Sequence, residues 1–74
     1  MTQEEMRNFI KARIVEEGYT MAEVLQLLCD DYRWSGSLSN FSNKLSKGTL
    51  RYLEAIQLAD VLGYDIIWKK RGSR

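Results

Sequence analysis

The sequence predicts a single all-α domain over residues 1–74, four helices followed by one C-terminal β-strand, and so α+β in detail. Three observations predict it. Apolar residues recur at helical spacing in four stretches; Ser, Thr and Gly stand where those stretches should open and close; and the only run rich in β-branched and aromatic residues, Tyr64 to Lys70, comes last.

The first helix is expected near residues 3–17, with boundaries good to about three residues. Thr2 and Glu5 have capping-box spacing, and Met6, Phe9, Ile10 and Ile14 recur on one face. Gly18 is placed to take the left-handed conformation that closes the helix, with Tyr19 packing back on its last turn. Thr20 and Glu23 repeat the capping box, and Met21, Val24, Leu25, Leu28 and Tyr32 follow as the most regular apolar stripe in the chain. This second helix is expected near 21–31, because Asp30 and Asp31 oppose the helix dipole at its end. Cys29 lies beside the stripe and reads as a small buried thiol.

Trp34 falls in the connection that follows and is expected to order it by burying its ring. Ser35 or Ser37 can cap a third helix near 38–46, whose Leu38, Phe41 and Leu45 share one stripe. Gly48 is its stop and Thr49 the expected cap of a fourth helix near 50–62, apolar around most of its circumference. Such a helix belongs in the middle of a bundle or against a second subunit. After Gly63, the segment near 64–70 reads as a strand with no partner in its own chain. Pairing with the same segment of another subunit would satisfy it, through Ile66, Ile67 and Trp68 in a two-fold homodimer. Arg71 to Arg74 are expected to fray.

Composition narrows the function. The chain has no histidine, and it lacks a glycine-rich phosphate loop, a nucleophile elbow and a paired acidic motif, so neither an enzyme nor a metal or cofactor site is expected. No apolar run is long enough to span a membrane, the start MTQEEMRNF lacks a signal-peptide core, and one cysteine cannot form an internal disulfide; a cytoplasmic protein is expected. Net charge is only +1, but residues 1–36 carry four basic and seven acidic side chains, a balance of −3, and residues 37–74 carry seven basic and three acidic, a balance of +4.

The third helix lies in the basic half and has an unusual polar face. Ser39, Asn40, Asn43, Lys44 and Lys47 stand opposite the apolar stripe with no carboxylate among them. Solvated helix faces are ordinarily paved with Glu and Lys, which favour the helix and pair along it. Short amides and hydroxyls suit base edges and lysines suit phosphates, so this face reads as the second helix of a helix-turn-helix unit bound to double-stranded DNA.

The residues from Tyr19 to Trp68, about two-thirds of the chain, resemble the small Cro/phage-repressor (XRE-like) type of helix-turn-helix protein. The matching pieces are GYTMAEVLQLL, SNKLSKGT and LADVLGYDIIWKK, the last two together being fairly specific. The resemblance implies a lambda-repressor-like domain of bacterial or phage origin that binds operator DNA as a homodimer and represses transcription. Carried over by position, Ser39, Asn40, Asn43 and Lys44 would read bases, while Ser37, Lys47, Thr49, Arg51 and Tyr52 would hold phosphates. The chain departs from the family in one place: CDDYRWSGS is several residues longer than the usual turn of about three or four. The alternative function is a protein-interaction module of the antitoxin or phage-inhibitor type, with a protein partner meeting the Trp34 turn. An exposed Trp34 and a buried Asn40 would favour that alternative.

Overall fold

The computed structural model describes residues 2–70 and Gly72, and among them there are four helices and no strand. Helix α1 spans Gln3–Glu16, α2 Met21–Tyr32, α3 Leu38–Lys47 and α4 Tyr52–Leu62.

The local signals produce these boundaries. Thr2 Oγ1 accepts from the Glu5 amide at 3.1 Å and Glu5 returns a bond to the Thr2 amide at 3.2 Å. Thr20 and Glu23 do the same, at 3.2 and 2.9 Å. Gly18, Gly48 and Gly63 all take positive φ, as the left-handed closing position requires. At Gly18 the turn lets the Tyr19 amide donate to the Ile14 carbonyl at 3.1 Å, which brings Tyr19 back against the core.

Helix α2 ends at Tyr32, within the expected bounds, with Gln26 donating to Asp30 at 3.0 Å and the Tyr32 hydroxyl donating to Asp60 on α4 at 2.5 Å. The connection to α3 is therefore Arg33 to Ser37, closer to an ordinary helix-turn-helix turn than the sequence suggested. Thr49 does not cap α4. Its amide donates to the Lys44 carbonyl to finish α3, and Arg51 becomes the cap residue, its amide donating to Glu54 Oε1 at 2.9 Å. Leu38, placed in the apolar stripe of α3, is 45% exposed, since the first turn overhangs the core that Phe41 and Leu45 enter.

The core comprises Ile14 from α1, Val24, Leu25 and Leu28 from α2, Phe41 and Leu45 from α3, and Leu58 and Leu62 from α4. Half-buried Ile10, Tyr19, Met21, Cys29, Trp34, Leu50 and Val61 surround it. Helix α2 is central, packing on the other three.

The segment 64–70, expected as a strand, forms none, because a strand needs a neighbouring edge and no second strand is present among the described residues. It turns back along α4 instead. Trp68 Nε1 donates to the Tyr52 hydroxyl at 2.6 Å, the two rings meeting edge to face at 6.0 Å, and Tyr64 donates to Glu17 at 3.4 Å. Ile67 and Trp68 remain 81% exposed, and on α4 Leu53 is 63% exposed. The apolar circumference expected of α4 is present but only half covered. The expected fraying at Arg71, Ser73 and Arg74 lies outside the described residues. No helix is long and apolar enough to cross a membrane, and among the described residues no cluster of His, Cys, Asp and Glu could hold a metal ion.

Candidate nucleic-acid interface

Phe41 and Leu45 turn one side of α3 into the core, and the helical period then sends Ser39, Asn40, Asn43, Ser46 and Lys47 to the opposite side, where all are exposed. Ser37 fixes the start of the helix by accepting from the Asn40 amide at 3.2 Å. The face is polar, carries no carboxylate, and is anchored from below by two fully buried side chains.

Lys44 sits on the flank of this face. Its ammonium pairs with Glu54 of α4 and lies 5.4 Å from the centre of the Trp34 ring. The sequence placed Lys44 among the base-reading residues; the structure gives it an internal partner. Glu54 is itself well held, its other oxygen accepting from the Arg51 amide. Partial burial pushes the Glu54 carboxyl up, but Lys44 and the Arg51 amide outweigh it and leave the carboxyl below its ordinary range.

Trp34 in the turn, expected to be buried, is half-buried. Its ring packs edge to face on Phe41 at 5.9 Å, and its Nε1 donates to Gln57 Oε1 at 2.7 Å. Between the turn, α3 and α4 lies a small cavity of about 150 Å³, lined among others by Trp34, Ser35, Asn40, Lys44 and Glu54.

Of the residues assigned to phosphates, Lys47, Thr49 and Arg51 are exposed along the α3–α4 connection, adjacent to the α3 face. Ser37 is half-buried and its hydroxyl caps α3. The Tyr52 hydroxyl accepts from Trp68 and keeps its own proton to donate. Sequence reasoning assigned no role to Glu54 or Gln57. Glu54 had a local signal, since it stands three residues after the residue that caps α4. Gln57 had none, because its partner is 23 residues away.

A second surface lies away from the polar face of α3, among residues of α1, α4 and the tail. Helices α1 and α4 and the returning tail enclose an open apolar groove of about 440 Å³ between Phe9, Ile10, Leu58, Leu62 and Ile66. Arg13 closes one edge, stacked 4.4 Å from the centre of the Phe9 ring and bonded to Glu16 at 3.2 Å.

Comparison of the chain with protein-family models, with curated proteins and with solved structures finds no significant match.

Proposed function

We propose that the chain is a sequence-specific double-stranded DNA-binding protein, a transcriptional repressor acting as a homodimer, with α2 and α3 as its helix-turn-helix unit. The observation that carries this reading is the exposed, carboxylate-free Ser39–Asn40–Asn43–Lys47 face on a helix fixed to the core by Phe41 and Leu45. The five-residue turn supports it, and so do Lys47, Thr49 and Arg51 beside the face. Exposed Asn40 and half-buried Trp34 are the combination that speaks against the lengthened turn as a protein-docking site. Base edges would be met by Ser39, Asn40 and Asn43. Lys47, Thr49 and Arg51 would hold phosphates, and Ser37 and Tyr52 would add hydroxyl contacts at the two helix starts. A lambda-repressor-like fold, with tails pairing through Ile66, Ile67 and Trp68, belongs to the same proposal.

One observation favours the second reading, a protein-interaction module: the open apolar groove and exposed Leu53 and Ile56 on α4 leave apolar side chains uncovered. A homodimer covers the same surface without a foreign partner.

The test is fluorescence anisotropy of the protein on duplex DNA from upstream of its own gene and on a scrambled duplex, over a salt series. Preferential binding with a negative slope of log K against log salt is expected. With Lys47 and Arg51 each neutralising a phosphate in both subunits, the slope should be about −3 to −5. A verified dimer that binds neither duplex at low salt would overturn the proposal in favour of the protein-interaction module.

A further inference from the structure

The pairing of Lys44 with Glu54 is more than a surface ion pair. The Glu54 side chain is 18% exposed and that of Lys44 38% exposed. The carboxylate is fixed on its second oxygen by the Arg51 amide at the start of α4, and the ammonium rests near the face of Trp34. A stationary carboxylate, partly desolvated and bonded to the lysine that flanks the recognition face, offers Lys44 what a phosphate oxygen would offer it.

We propose that Glu54 is an internal counter-ion that keeps Lys44 off non-cognate phosphates. This rests on the DNA-binding reading and assigns a specificity-setting residue within it. Glu54 touches no DNA; it acts through Lys44. For Lys44 to reach a phosphate it must first leave Glu54, so the contact gives up an ion pair already made in the free protein. Lys44 therefore adds little to sequence-independent binding. On random DNA Lys44 stays with Glu54, and the pair, net neutral, is silent. Only a docking geometry that offers Lys44 a better-placed acceptor, such as a guanine edge, draws it away.

The structure supplies a clean variant. Glu54→Gln removes the charge but keeps a carbonyl oxygen for the Arg51 amide, and Gln serves at this position of a capping box. Binding is measured on a random-sequence 20-bp duplex across a salt series. Expected for Glu54→Gln is a roughly fivefold to tenfold gain in affinity at low salt, with the slope steeper by about 0.9 per subunit as Lys44 becomes free for phosphate. The paired variant Lys44→Gln/Glu54→Gln should match wild type in both affinity and slope, because it removes a pair that is silent on random DNA. It also serves should the single variant be too unstable to assay. Wild-type binding with an unchanged slope in Glu54→Gln, or a shallower slope in the paired variant, would show that Lys44 already engages phosphate and would overturn the counter-ion role alone. Failure of wild type and variants alike to bind any duplex overturns the DNA-binding reading, and this proposal with it.

Discussion

Arg33 is the only described non-glycine residue with a positive φ, at 59°, and it ends α2 where the other three helices end beside glycine. A Cβ in the left-handed region costs about 1–2 kcal/mol, part of which is regained because glycine loses more freedom on folding. Arg33→Gly should therefore raise stability by roughly 0.5–1 kcal/mol in urea unfolding; a loss would mean that the Arg33 side chain holds the turn. Glu54 gives a prediction with a sign. Its folded carboxyl lies below the ordinary range, so its contribution to stability is present above the unfolded value and is lost as pH falls through the folded one. Glu54→Gln should flatten the acid limb of a stability–pH profile below about pH 4.5, with little change in shape at neutral pH. At this scale the sequence was legible wherever cause and effect lie within one helical turn, as at Thr2 with Glu5, Thr20 with Glu23, and Gly18. It was not legible where partners come from different helices. Lys44 with Glu54 and Trp34 with Gln57 depend on how α3, α4 and the turn come together, and no spacing rule encodes that.

At the scale of elements, all four helices were legible because each has its own apolar period and stop signals. The Asp30–Asp31 pair marked the end of α2 to within a residue, and the helix stops at Tyr32, whose hydroxyl is bonded to Asp60. The errors lie where a local preference met a competing contact. Thr49 is a better cap than Arg51 by intrinsic preference, but its amide closes α3 and α4 begins later. The tail shows the limit most plainly. Its β-branched composition was read as a strand, but a ladder is a property of two segments, and the chain contains a single such segment. Hydrogen exchange should separate the two states: amides of residues 64–70 should exchange quickly in dilute protein and become protected as concentration rises, if the tails pair across a two-fold axis. Fast exchange at every concentration would leave the tail as a strap on α4 held by Trp68 and Tyr52.

For the whole molecule, the two uncovered surfaces make different demands. The α3 face is polar and stable in water by itself, whereas the groove beside α1, the apolar side of α4 and the tail leave apolar side chains uncovered. Tyr52, Leu53, Ile56, Ile66, Ile67 and Trp68 are each at least 40% exposed, and theirs is the aromatic and aliphatic composition that the core of a subunit interface covers. On the proposed reading, a two-fold dimer would present two α3 helices to successive major-groove faces about 34 Å apart and read a palindromic site. Truncation after Gly63 removes the tail but leaves all eight buried core residues in place. The shortened chain should stay helical by circular dichroism, sediment as a monomer, and bind its site much more weakly, with about half the salt slope because only one subunit's phosphate contacts remain. Full-length protein that sediments as a monomer at tens of micromolar would remove the dimer from this account. A truncated chain that still dimerises would move the axis from the tail to Leu53 and Ile56 on α4, and Leu53→Lys would then be the substitution expected to separate the subunits.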